Sequence, residues 1–362
     1  MKKTKYLKLY EDLRKDIVNG VYPYGSRLPS KRLLAEKEDI SLVSVEHAYE
    51  ILCDEGYAES RQRSGYFVCY REQDGFVAVG GPEKELDQLY RNISVSESSE
   101  PTDLAEIEDF PFSVYARAMR KVLTEYGENI LVKSPGSGCM QLRDAISRYL
   151  ARSRGITAPP ERIVIGSGAE YLYGLLVQTI GRDKLYAIEK PSYEKIEQIY
   201  SANGVKCQLL ALGSDGIISS ELAASSADVL HITPYRSFPS GVTASASKRR
   251  EYLRWARNNG RYIVEDDFGS EFTTSTKPEE TVFALSQDDN VIYLNTFSKT
   301  IAPSIRIGYM VLPEQLLKRF DEKAGFYSCS VPSFEQYVLA EFISGGDFER
   351  HINRVRRKLR KK

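Results

Sequence analysis

The sequence predicts two folded parts: a small, mostly helical N-terminal unit closed by a β-hairpin, and a larger α/β unit built on a mixed, mostly parallel sheet. Three observations carry this. Apolar residues recur every three or four positions through the first fifty residues, the period of packed helices. Residues 70–103 are polar and rich in Gly, Ser and Pro, a composition that buries too little to fold alone and reads as a linker. From residue 104 onward, short apolar runs alternate with helical stretches, as in a sheet covered on both faces. The 362 residues suffice for two or three domains.

Composition narrows the class. The 42% hydrophobic and 28% charged fractions are those of an ordinary globular chain. No apolar run approaches the roughly 18 residues of a membrane span, so no membrane partner is expected. The basic start, Met1-Lys2-Lys3-Thr4-Lys5, lacks a following apolar segment, so no signal peptide is expected. Five scattered cysteines and three histidines fit neither a disulfide framework nor a zinc site and suggest a cytoplasmic location. Basic and acidic residues number 50 each, but the balance is a sum of unlike parts. Residues 1–70 hold 12 basic and 11 acidic residues, whereas residues 350–362 hold eight basic and none acidic.

In the N-terminal unit, Leu7, Tyr10, Leu13 and Ile17 form one helical face, stopped by Gly20. Ser30 is a candidate N-cap for a helix over Lys31–Lys37, and Ser41 for a third helix with inward residues Val45, Ala48, Tyr49 and Leu52. Two strands, 57–60 and 66–68, flank the basic turn Arg61-Gln62-Arg63-Ser64-Gly65. Three helices followed by a basic-tipped hairpin is a winged helix-turn-helix, whose third helix enters the DNA major groove while the wing follows the backbone. A short helix over 84–92 is predicted within the linker. Strand-like runs then occur at 162–165, 184–188, 205–210, 229–232, 262–264 and 291–294.

The N-terminal motifs Leu28-Pro29-Ser30-x-Arg32-x-Leu34-Ala35, Ser41-x-x-Ser44-Val45 and Arg61-x-x-Ser64-Gly65-Tyr66-Phe67-Val68 resemble the DNA-binding domain of the GntR family of bacterial regulators, here residues 1–69. The resemblance implies double-stranded DNA as partner. It places Lys31 and Arg32 on phosphates, Ser41 and Ser44 at the groove, and Arg61 and Arg63 on the wing. Three residues depart from a simple basic reading helix: Leu42, where relatives carry Arg, and the acidic Glu46 and Glu50.

Farther along, Asn295-Thr296-Phe297-Ser298-Lys299-Thr300 directly follows a strand run, with Arg306 seven residues after Lys299. A lysine in such an uncharged segment can lose its proton by desolvation and form a Schiff base with an aldehyde. Pyridoxal 5′-phosphate (PLP) also needs a carboxylate at its ring nitrogen, a helix N-terminus at its phosphate and an aromatic on its face. Asp266 and Asp267, Ser167-Gly168, and Tyr193 are the candidates, and all follow strand runs, where α/β sheets place ligands. Ser167-x-x-Glu170 also reads as a plain capping box.

Together with Gly138-x-x-x-Leu142-Arg143, Glu189-x-Pro191-x-Tyr193 and Thr233-Pro234 followed by Phe238-Pro239-Ser240-Gly241, these segments resemble fold-type-I aminotransferases. More narrowly, they resemble the MocR subgroup, which fuses a GntR winged helix to an aminotransferase-like domain. The resemblance implies a three-layer PLP-dependent transferase-like domain over 104–362. Lys299 would hold PLP, Asp266 would pair with its ring nitrogen, and Ser167, Gly168, Ser298 and Arg306 would bind its phosphate. Tyr193 would contact the ring, and Lys195 stands where some relatives bind a ligand carboxylate. It further implies a head-to-tail homodimer and a small amino-compound effector. Glu170, Phe238 and Phe268 depart from the family pattern, and the length is about one C-terminal small domain short of a complete aminotransferase fold. The expected function is therefore transcription regulation with PLP sensing. An active aminotransferase and an inactive remnant are the alternatives.

Overall fold

The computed structural model describes residues 5–62, 64–71, 110–257, 260–272 and 280–360, in two compact units divided between Ser99 and Glu100. The linker beyond residue 71, its expected helix at 84–92, and Arg63 lie outside the described residues.

In the first unit, α1 (Lys5–Val18), α2 (Lys31–Lys37) and α3 (Leu42–Asp54) precede the antiparallel strands β1 (Ala58–Arg61) and β2 (Gly65–Val68). Both expected caps form: the Ser30 hydroxyl accepts from the Leu33 N–H and that of Ser41 from the Ser44 N–H, each at 3.2 Å. Val45, Ala48, Tyr49 and Leu52 are completely buried and face Leu13 and Ile17 of α1. The Tyr49 hydroxyl donates to the Pro29 carbonyl at 2.7 Å, tying α3 to the turn that starts α2. One position differs from the sequence-based expectation. Leu9 and not Leu7 is fully buried, because α1 is turned slightly so that Leu9, Tyr10, Leu13 and Ile17 point inward.

The second unit begins with α4 (Phe112–Tyr126) and α5 (Met140–Arg154). Its sheet then builds up through β3 (Ile163–Gly166), α6 (Ala169–Ile180), β4 (Leu185–Lys190), α7 (Glu194–Ala202), β5 (Lys206–Gly213), β6 (Gly216–Ile217) and β7 (Val229–Ile232). It continues through α8 (Ala246–Arg257), β8 (Tyr262–Asp266), β9 (Val291–Thr296), the single turn α9 (Phe297–Thr300) and β10 (Gly308–Val311). Helices α10 (Glu314–Lys323), α11 (Ser333–Ser344) and α12 (Asp347–Leu359) follow.

The eight strands lie in the order β3-β10-β9-β8-β7-β4-β5-β6. Pairings among β5, β4, β7, β8 and β9 are parallel, while β10 runs antiparallel between β3 and β9. The six sequence-predicted strands all form. Two more, β6 and β10, complete a mixed, mostly parallel sheet.

Alternate residues of each strand point to opposite faces. Ile163 and Ile165 pack with α5, α11 and α12, whereas Val164 packs with α6, α7 and α10. This parity decides what the chemical groups at the strand ends face.

Two fully buried glutamates also belong to the sheet. Glu189 accepts from the Thr233 N–H and the Ser237 hydroxyl, and Glu265 from the Val282 and Phe283 N–H groups. Burial pushes both carboxyls up to about 8. They are therefore largely protonated when folded at neutral pH, while the unfolded chain has lost those protons. A folded-state pKa above the unfolded one gives stability that is complete below the unfolded value and lost as pH rises through the folded value. The melting temperature is expected to fall between about pH 5 and pH 8. A Glu265→Gln variant followed by circular dichroism should show a flatter slope, and an equal slope in the variant would contradict the assignment.

Candidate functional site

The C-terminal ends of β3, β4, β8 and β9 meet at one edge of the sheet, around a cavity of about 370 Å³. That volume is within the usual range for small-molecule sites. Its wall includes Ala169, Glu170, Tyr193, Asp266, Ser298, Lys299 and Arg306, so most of the sequence-predicted cofactor residues converge.

Strand parity separates the two aspartates. Asp266 points to the same face as Val264, toward α6, and lines the cavity. Asp267 points the other way, to a buried ion pair with Arg154 of α5 at 2.8 Å, and also accepts from the Tyr293 hydroxyl at 2.7 Å. Asp266 Oδ2 accepts from the Tyr173 hydroxyl and lies 3.6 Å from His231 Nε2. The far ring nitrogen of His231 meets the Tyr200 hydroxyl at 2.7 Å. Asp266 Oδ1 is buried with no hydrogen-bond partner among the described residues. A buried carboxylate oxygen without a donor is uncommon in folded proteins. The protonated ring nitrogen of PLP would supply the missing donor, so the residues fit that group.

The phosphate end is built on the start of α6. Gly168 is the N-cap, with φ +95° and no side-chain cap. The capping box expected from Ser167 and Glu170 does not form, because Gly168 and not Ser167 is the cap and the Glu170 carboxylate pairs with Arg306 and Lys195. The Ser167 N–H donates to Ser330 Oγ at 3.1 Å and the Gly168 N–H to the Gly166 carbonyl at 2.8 Å. The open donors of the first turn therefore start at Ala169, one residue beyond the two predicted. A Cβ on Gly168 would meet the Arg306 guanidinium at 3.2 Å, so glycine lets this cation close on the helix start. Both features attract anions.

Ser298 lines the cavity. Its hydroxyl donates to the Ile305 carbonyl at 2.8 Å, holding the loop from Lys299 to Arg306. Lys299 departs from expectation: its side chain is exposed at the cavity mouth, so burial in the single chain does not desolvate it. Tyr193 forms an aromatic wall with Phe238, ring centroids 6.4 Å apart. Sequence reasoning missed Tyr173 and His231. The signals were present: Tyr173 is one helical turn beyond Ala169, and His231 is a lone polar residue in an apolar strand.

The winged-helix unit presents a second surface. Ser41, Leu42 and Val43 are exposed at the start of α3, with Val43 73% exposed. Arg32 is exposed, and no ion pair to it occurs among the described residues. Lys31 pairs with Glu46 at 2.5 Å and Arg61 with Glu59 at 2.7 Å, so both cations are partly neutralised. Arg27 was not predicted; its exposed guanidinium lies beside Gly65 at the wing.

Residues 5–68 match the gntR family of bacterial regulatory proteins, and residues 98–362 match aminotransferase class I and II. The chain is 33% identical over 368 residues to the HTH-type transcriptional regulator YdeL of Bacillus subtilis, covering 99% of this chain and 77% of that protein. It is 31% identical over 366 residues to the probable rhizopine catabolism regulatory protein MocR of Rhizobium meliloti, covering 96% and 73%. Among solved structures it resembles Pyrococcus horikoshii kynurenine aminotransferase, whose complex contains PMP, with a TM-score of 0.64, 25% identity and coverage of 76% and 70%. The chain belongs to the MocR-type HTH transcriptional regulators, in which a GntR winged helix precedes an aminotransferase-like domain.

Proposed function

We propose that this protein regulates transcription in the cytoplasm as a DNA-binding homodimer, and that its aminotransferase-like unit binds PLP and senses PLP itself or a small amino compound. One observation carries the cofactor reading: the unpartnered, buried Asp266 Oδ1 shares a cavity with Lys299, Arg306 and the open first turn of α6. Bound PLP supplies an aldehyde that condenses with amines and a ring that withdraws electrons from them. The chain's residues then have distinct tasks. Asp266 holds a proton at the ring nitrogen, oriented by Tyr173 and His231. Arg306 and the α6 N–H groups bind the phosphate, Tyr193 flanks the ring, and Lys299 offers its amine from the mouth. Exposed Phe112, Leu123, Leu131 and Val132 on and after α4 supply apolar surface for a dimer contact.

On the DNA side, Arg32, Arg61 and Arg63 are proposed to contact phosphates, with Lys31 joining once DNA displaces Glu46. Ser41 and Ser44 are proposed to face the groove. Phosphate contacts set both affinity and its salt dependence. Arg32→Ala is expected to weaken binding to all duplexes and to reduce the slope of log K against log salt by about 1. Fluorescence anisotropy with duplex from upstream of the gene, across a salt series, measures both. An unchanged slope would remove Arg32 from the interface.

A further inference from the structure

At the mouth of the cavity, one carboxylate is held between two cations. Glu170 Oε2 lies 3.3 Å from Arg306 Nη2, and Glu170 Oε1 lies 3.2 Å from Lys195 Nζ. Arg306 is also the guanidinium that rests over Gly168 at the start of α6. The Glu170 carboxylate thus lies where an incoming phosphate would bring its own negative charge, and it already uses the cation that phosphate would use.

We propose that Glu170 is a built-in competitor for the phosphate subsite, with Lys195 as the residue that receives its carboxylate when a phosphate takes Arg306. The proposal rests on the PLP reading above and adds to it a device that sets affinity. An empty subsite keeps Arg306 neutralised by Glu170. An arriving dianion displaces one oxygen of the carboxylate while the other stays on Lys195, so the negative charge beside the phosphate remains compensated. The effect is to lower the affinity for the phosphate-bearing ligand, so that it exchanges more readily than it would without Glu170. The three side chains are between about one-third and one-half exposed, so solvent screening limits the effect to a modest factor.

The test is a double-mutant cycle on the full chain, with calorimetric titration of inorganic phosphate and, separately, of PLP. Glu170→Gln keeps the shape and removes the charge. It is expected to bind both ligands roughly three- to tenfold more tightly. Lys195→Ala is expected to weaken both by a similar factor, because the displaced carboxylate then has no second cation. In the Glu170→Gln background, Lys195→Ala is expected to change little. Arg306→Ala should erase the gain from Glu170→Gln. If PLP binds with the same or lower affinity after Glu170→Gln, or if the Lys195→Ala loss persists in the double variant, the competitor role is overturned while the PLP reading stands. If no variant binds PLP, the reading beneath it is overturned as well.

Discussion

Lys299→Ala is expected to abolish retention of PLP through gel filtration, taking the protein from nearly stoichiometric loading to none. The reason is local. Lys299 sits on a single helical turn with well-anchored backbone: Thr296 caps it through the Ser298 N–H, the Phe297 N–H donates to the Ile307 carbonyl at 2.8 Å, and the Thr300 carbonyl meets His351 Nε2 at 2.9 Å. The side chain itself is exposed, so its truncation leaves packing intact and the melting temperature nearly unchanged. The loss would therefore report the amine. In the parent protein, borohydride reduction of the loaded sample should leave the label on the peptide containing Lys299. A label on another lysine, or full retention after Lys299→Ala, would contradict the assignment.

The second large effect separates two neighbouring carboxylates. Asp267→Ala is expected to destabilise the larger unit by about 3–5 kcal/mol, because it leaves the Arg154 guanidinium buried without its counter-charge. The Tyr293 hydroxyl loses its acceptor in the same step. Asp266→Ala is expected to cost less stability, since it breaks no ion pair with an arginine and loses the Tyr173 hydroxyl bond at Oδ2, but to remove PLP binding. Thermal melts and PLP titrations of the two variants should therefore give opposite patterns. The same pattern in both would mean that sheet parity does not divide their roles.

Much of this architecture could be read in the residue pattern. The inward face of α3 follows from the 3.6-residue period, the caps at Ser30 and Ser41 from their hydroxyl side chains, and six of the sheet strands from short continuous apolar runs. What escaped depended on tertiary context. Strand β10 lay inside the run following Lys299, and its place between β3 and β9 comes from long-range pairing that no local pattern encodes. The sequence offers two adjacent aspartates and no physical ground for choosing between them; that Asp266 shares the face of Val264, toward α6, appears only in the fold. The resemblance places Ser298 on the phosphate; that its hydroxyl also anchors the loop through the Ile305 carbonyl depends on a fold that local spacing does not show. Lys299 was expected in apolar surroundings because its sequence neighbours are uncharged, but those neighbours turn inward and leave the lysine outside. The ion pairs that temper the winged helix, Lys31 with Glu46 and Arg61 with Glu59, join residues whose proximity depends on helix packing and strand geometry.

Ligand occupancy at Lys299 is proposed to govern DNA binding by the winged helix. The most direct measurement is the affinity of the full chain for labelled duplex from upstream of its own gene, at low salt, with and without PLP, in parallel with Lys299→Ala. Specific binding by both proteins is expected, with an affinity that PLP changes in the parent and leaves unchanged in the variant. Absence of specific binding at low salt, or an affinity that PLP fails to move while it is bound at Lys299, would contradict the proposal.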